Sequence, residues 1–153
     1  MKEVYIETIL LIERLHRRFL DVIKTELDRL KVEEINNVQT LMLYNISNEK
    51  ITIGELTNRG YYLGSNVSYN VKDLVEKGFL IKERSEHDKR STHVKLSQKG
   101  LDLCAKIDEL YKRNIEMLKT EKPGINALPG VNASLRELEQ FWTNYINKVF
   151  KGA

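Results

Sequence analysis

The sequence predicts a mainly α protein with a small β-hairpin. Three observations predict it: long amphipathic helical patterns at both ends, a middle cut into short helices by capping signals, and two short strand-like runs flanking one polar loop. At 153 residues, with 41% hydrophobic and 31% charged residues, the chain has the length of one ordinary domain, or of two small ones sharing a core.

Each element has a local cause. From Val4 to Leu30, Ile9, Ile12, Phe19, Ile23, Leu27 and Leu30 recur at spacings of three and four, with Tyr5, Leu11, Leu15 and Val22 widening the stripe, so a long helix buried on two sides is expected. Asn36-Asn37-Val38-Gln39 has the residue types of a capping box and opens a second helix running to about Ser47, before a loop at Asn48-Glu49-Lys50. Thr52-Ile53-Gly54-Glu55 is another such box, starting a short helix to about Arg59. Gly60 and Gly64 suit a turn between helices. Ser65 is placed to cap the next helix, whose inner face holds Val67, Val71, Leu74 and Val75 and whose end is marked by Lys77-Gly78.

Phe79 to Arg84 and Thr92 to Leu96 read as strands joined by the polar loop 85–91. Ser97 caps a further helix to about Lys119, with Leu101, Cys104, Tyr111, Ile115 and Leu118 on one face and Leu103, Ile107, Leu110 and Met117 beside it, again buried on two sides. Pro123, Gly124, Pro129 and Gly130 make Lys122 to Ala133 a loop. A last helix is expected to begin at Ser134-Leu135-Arg136-Glu137 and to carry Leu135, Leu138, Trp142, Tyr145 and Val149.

Helix, helix, turn, helix and hairpin in that order make a winged helix-turn-helix, expected over residues 35–97 as a DNA-binding lobe and flanked by helical regions at 1–34 and 98–153. The net charge of +3 is too mild to announce a nucleic-acid binder. Its distribution is more informative. Residues 54–100 hold nine basic against six acidic residues, whereas the 16 basic residues elsewhere meet 16 acidic ones, so the whole excess lies in the middle of the chain.

A capped helix can present its first turns to the major groove. The candidates there are Ser65, Asn66, Ser68, Tyr69, Asn70 and Lys72: Asn pairs bidentately with adenine, Ser and Tyr bond phosphates or bases, and Lys72 adds charge. Taken alone, Ser65 and Asn66 are explained as well by capping. At the hairpin tip Lys89 and Arg90 suit a minor groove or a phosphate, with Asp88 able to hold a neighbouring guanidinium or amide. A winged-helix protein-interaction module without sequence-specific DNA binding is the alternative.

Leu56, Val67, Leu74, Gly78, Phe79, Arg84, Asp88-Lys89-Arg90-Ser91, Leu96-Ser97 and Lys99-Gly100, in register, resemble the MarR family of bacterial transcription regulators. The segment from Arg59 to Asn70 is further similar to the LdtR-like regulators of an alphaproteobacterial subgroup, whose implied targets are cell-wall remodelling or stress genes. Where the wider family tends to place an apolar residue and then Gly in the turn, this chain has Gly60 and then Tyr61.

The resemblance implies a homodimer built from the terminal helices, with 1–34 and 98–153 as the helical dimerisation region, two recognition helices reading a pseudo-palindrome on double-stranded DNA, and wings in flanking minor grooves. Ile9, Ile12, Phe141, Trp142 and Tyr145 are the interface candidates; each is explained equally well by packing within one chain. It also implies a pocket for a small aromatic or phenolic effector, with His16, Phe19, Thr40, Tyr44, Tyr61 and Tyr62 as candidates against the more ordinary reading of core residues.

Other functions lack residues to carry them. One cysteine, Cys104, excludes an intramolecular disulfide and a four-thiolate metal site, fits a reducing cytoplasm, and reads as a buried inert thiol. His16, His87 and His93 have no metal-ligand spacing, and no glycine-rich phosphate loop, nucleophile elbow or Cys–His partnership indicates a cofactor or an enzyme. Neither a signal peptide nor a membrane span is expected.

Overall fold

The computed structural model describes residues 1–60, 64–85, 87 and 91–152, with the side chains of Gly64, Ser65 and Pro123 also outside the description. Its elements are α1 (Lys2–Arg29), α2 (Asn37–Ile46), β1 (Ile51–Thr52), α3 (Ile53–Gly60), α4 (Gly64–Glu76), β2 (Leu80–Arg84), β3 (Thr92–Leu96), α5 (Gln98–Glu121), a 3-10 turn (Pro123–Ala127) and α6 (Leu128–Lys151). Backbone contacts divide the chain into two compact units, Met1–Leu110 and Tyr111–Ala153.

The caps read from sequence set the boundaries in the first unit. The Asn36 side chain accepts from Gln39 N at 2.8 Å while Gln39 Oε1 accepts from Asn36 N at 3.1 Å, a complete capping box. Thr52 Oγ1 accepts from Glu55 N at 3.1 Å, starting α3. Ser97 Oγ accepts from Gly100 N at 3.2 Å and donates to the Gly78 carbonyl at 2.5 Å, so one hydroxyl caps α5 and ties it to the end of α4. Gly78 has φ +82°, the left-handed conformation that a terminating glycine supplies.

The core of this unit gathers Leu43 and Ile46 of α2, Leu56 of α3, Val67, Val71 and Leu74 of α4, Phe79 and Leu80 after it, Val94 of β3 and Ile107 of α5, all buried. The sheet has three strands, not two, in the order β1-β3-β2. β1 pairs Ile51 with Val94 and Thr52 with His93. Two residues are too few to show an alternating pattern, which is why this strand is absent from the sequence reading. β2 starts at Leu80, and Phe79 belongs to the turn, where its amide donates to the Leu74 carbonyl at 2.9 Å.

Two expectations are overturned. Residues 122–133 are not a loop: the 3-10 turn runs almost directly into α6, which begins at Leu128 with Pro129 in its first turn, where a missing N–H costs nothing. Ser134 therefore lies inside α6 rather than capping it. Within one chain the long helices are only partly buried. In α1 only Ile23, Glu26 and Leu27 are buried, in α5 the buried residues are Gly100, Leu103, Ile107 and Leu110, and α6 buries none.

α5 packs closely against the α4–β2 turn. A Cβ at Gly100 would sit 2.4 Å from the Phe79 carbonyl oxygen, a backbone atom that cannot swing aside, and 3.3 Å from Leu96 Cδ2. Gly100→Ala is therefore expected to destabilise the fold by about 2 kcal/mol, the usual cost of overpacking, lowering Tm by roughly 5 °C. Gly130→Ala in α6, where nothing lies within 4 Å of the new methyl, is the control and should raise Tm slightly through helix propensity.

Candidate nucleic-acid interface

α4 presents two different faces. Val67, Val71 and Leu74, spaced i, i+4, i+7, are buried, and the same helical turn throws Asn66, Ser68, Tyr69 and Lys72 outward. Tyr69 is 72% exposed, far more than a ring of that size needs unless something else covers it. Asn70 is half-buried, and its Nδ2 donates to the Asn66 carbonyl at 2.8 Å. Ser65 lies in the first turn of α4 and not before it, and residues 61–63 are outside the described residues. Tyr61 and Tyr62 are outside them as well.

β2 and β3 form the hairpin, with Arg84 opposite Thr92 and Ser85 N donating to the Ser91 carbonyl at 3.1 Å at the end that leads into the connecting loop. Asp88, Lys89 and Arg90 lie outside the described residues. One pair back from that end Glu83, opposite His93, is held by two lysines: Lys50 Nζ at 2.6 Å and Lys95 Nζ at 2.9 Å. These two cations keep the Glu83 carboxylate ionised down to a pKa of about 2. Lys50, Glu83, Arg84, Ser85, His87 and His93 line an open hollow of about 660 Å³ beside it. Lys50 and β1 are the parts of this surface that sequence reasoning missed. A lone lysine in a loop carries no signal until the strand beside it is known.

A second hollow, of about 630 Å³, lies between α2 and α5 and is lined by Tyr44, Ser47, Asn48, Leu96, Gln98, Leu101, Asp102, Cys104, Ala105 and Asp108. The Tyr44 hydroxyl bonds Asp108 Oδ1 at 2.6 Å across it. Among the described effector candidates only Tyr44 lines this hollow. Thr40 is buried and donates to the Asn36 carbonyl at 2.9 Å, and His16 and Phe19 are exposed on α1. Cys104 is half-buried rather than buried, and burial together with the Asp108 charge pushes its thiol up to about 11.

The interface candidates on α1, Ile9 and Ile12, are half-buried beside exposed Leu10, Leu11 and Leu15. On α6, Phe141 and Tyr145 are 59% and 60% exposed and stack at 6.5 Å between ring centroids, while Trp142 is half-buried. No helix among the described residues is long and apolar enough to cross a membrane.

The MarR family profile matches residues 33–91, which run from before α2 through α4 and β2 and end just before β3. The exopolysaccharide II synthesis transcriptional activator ExpG of Rhizobium meliloti (strain 1021) is 35% identical over 140 residues, covering 92% of this chain and 72% of the relative. The chain belongs to the MarR family. It is a DNA-binding transcription regulator and not an enzyme. The fold agrees with solved structures of this MarR protein's relatives. FabT of Streptococcus pneumoniae, solved in complex with DNA, superposes with a TM-score of 0.73 at 18% identity over 92% of this chain and 98% of that one. BldR of Sulfolobus solfataricus gives 0.71 at 21% identity over 88% and 96%.

Two outcomes test these electrostatics. Because the pKa of Glu83 in the folded regulator lies below its ordinary 4.5, the stability it contributes is fully present above 4.5 and is lost as pH falls towards about 2. Thermal unfolding of wild type and Glu83→Gln should therefore differ at pH 6 and converge as pH approaches 2. For Cys104, a thiol titrating at about 11 should react with iodoacetamide at pH 8 on the order of a hundredfold more slowly than free cysteine. A rate matching free cysteine would contradict that environment.

Proposed function

We propose that this regulator works in the bacterial cytoplasm as a homodimer on a pseudo-palindromic operator and is controlled by a small aromatic effector. In this reading residues 35–97 are the DNA-binding lobe and 1–34 with 98–153 the dimerisation region. α4 is the recognition helix, with Ser65, Asn66, Ser68, Tyr69, Asn70 and Lys72 reading the major groove and Asp88, Lys89 and Arg90 serving the minor groove at each flank. The observation that carries this is the division of α4 into a buried apolar ridge and an exposed polar side.

Dimerisation is supported by uncovered apolar surface. Leu10, Leu11 and Leu15 on α1, and Phe141, Tyr145 and Phe150 on α6, are all exposed, a density that an unpartnered surface rarely carries. Ile9, Ile12, Phe141, Trp142 and Tyr145 are the proposed interface residues.

The hollow beside Tyr44 supports an effector site. Its lining offers Leu96, Leu101 and the tyrosine ring together with two carboxylates and no lysine or arginine. Those charges favour a neutral phenol over an aromatic carboxylate. His16, Phe19, Thr40, Tyr61 and Tyr62 remain effector candidates from the family resemblance. Control works by differential affinity: the effector must favour a spacing of the two lobes that misfits the half-sites. The 35% identical activator of exopolysaccharide synthesis and the LdtR-like turn segment together point to cell-envelope genes as targets, with stress genes the wider class.

Genome-wide recovery of bound DNA yields the operator, and fluorescence anisotropy on it tests the mode of binding. A dimer neutralising about six phosphates should show log K falling with log salt at a slope of about −5, whereas a flat response would favour the protein-interaction alternative. Arg90→Ala should cost about 1–3 kcal/mol of operator affinity while the sedimenting mass stays that of a dimer. In a thermal-shift screen with neutral phenols, a hit whose shift survives Tyr44→Ala would exclude that residue from the site.

A further inference from the structure

α4 is held at its C-terminal half by a closed ring of polar contacts. Asp73 Oδ2 accepts from Gln39 Nε2 of α2 at 2.7 Å and from Lys77 Nζ at 3.0 Å. Lys77 Nζ also donates to the Glu34 carbonyl at 2.7 Å, and Glu34 Oε2 accepts from Lys99 Nζ of α5 at 2.8 Å. Lys99 Nζ closes the ring on the Lys77 carbonyl at 3.1 Å and lies 4.4 Å from the centroid of the Phe79 ring.

Gln39 makes the ring more than a surface ion network. It is 3% exposed, and its Oε1 is already committed to the α2 cap, so its amide cannot turn to another partner without breaking that cap. Deleting the Asp73 acceptor strands a buried donor, which costs more than a surface pair is worth. Direction matters as well. Asn66, Asn70, Asp73 and Lys77 follow spacings of four, three and four, so Asp73 lies on the same stripe of α4 as the two asparagines.

We propose that Asp73 is a positioning residue for operator recognition: through Gln39 it sets the rotation and tilt of α4, and so the placement of Asn66 and Asn70, without touching DNA. This rests on α4 being the recognition helix. Asn66 is about 10 Å along the helix from Asp73, so a tilt of roughly 10° about the anchored end moves it by about 2 Å. Bonds to base edges, which tolerate only a few tenths of an ångström, are then lost. Phosphate contacts made by long flexible cations survive. Asp73 should therefore govern discrimination between operator and random DNA more than overall affinity.

The test compares Asp73→Asn with Asp73→Ala in the full chain. Both remove the charge, so any simple repulsion of phosphate is relieved equally, but only Asn keeps an oxygen that Gln39 can bond. Affinities for the recovered operator and for a random duplex, measured well below Tm, should give an operator-to-random ratio at least fivefold lower for Asp73→Ala than for Asp73→Asn. Random-duplex affinities should agree within twofold and the salt slopes should match. Equal ratios in the two variants would overturn the proposal, including the case in which only Tm falls. If Asp73→Ala does not fold, Gln39→Met deletes the same bond together with the α2 cap, and should lower the ratio where Asn36→Ala, which weakens the cap but keeps the Gln39–Asp73 bond, does not. Asn66→Ala separates the two readings. Unchanged operator affinity there means α4 is not the reader, while a loss there with equal Asp73 ratios removes the positioning role alone.

Discussion

The packing of α4 through Val67, Val71 and Leu74 is the constraint on which the rest of the first unit depends. Each of these side chains contributes about 1.5–3 kcal/mol when fully buried, whereas a hydrogen bond nets about 1 kcal/mol, so apolar burial decides which side of the helix turns inward. The polar side then has no choice but solvent. From the same packing follows the turn at Gly78, the burial of Phe79, and the approach of α5 so close that Gly100 has no room for a methyl group. Polar contacts such as Asp73 to Gln39 act on a helix already oriented and adjust how it sits.

Charge in this protein is arranged locally. Of the nine cations in residues 54–100, Arg59, Lys77, Lys95 and Lys99 are engaged with Glu49, Asp73, Glu83 and Glu34. Lys72, Lys82 and Arg84 are exposed, with no ion-pair partner among the described residues. A net charge of only +3 is thus compatible with DNA binding, because Lys72 on α4 and Lys82 and Arg84 on the hairpin stand exposed. The helices outside this segment are balanced in charge, and exposed apolar side chains on α1 and α6 are their distinguishing feature.

Much of this architecture was legible because it is written in local chemistry. Asn36 with Gln39, Thr52, Ser97 and Gly78 each mark a boundary through groups only a few residues apart, and each stands where such chemistry requires. Misreadings arose where one local pattern has two meanings. Ser134 with Glu137 matches a capping box, yet the same pair sits equally well on an exposed helix flank, and Pro129 in the first turn of α6 was the true start signal. β1 had only two residues in which to show itself. Of the site, the outward residues of α4 were readable from periodicity, but the hollow at Tyr44 depends on Asp108, 64 positions away.

By itself, then, the sequence determined where the helices of the first unit begin and end, which face of α4 is apolar, and which family the chain resembles. All of these rest on residues within a few positions of one another or on direct likeness. Only the tertiary structure decided that Gln39 and Asp73 share a bond across 34 residues, that Ile51 and Thr52 complete a three-stranded sheet, and that α1 buries Ile23 and Leu27 while Leu10, Leu11 and Leu15 stay exposed. The reason is that such contacts arise when separate helices and strands share one core, and their distances and unburied faces are fixed by that packing rather than by any repeat along the chain.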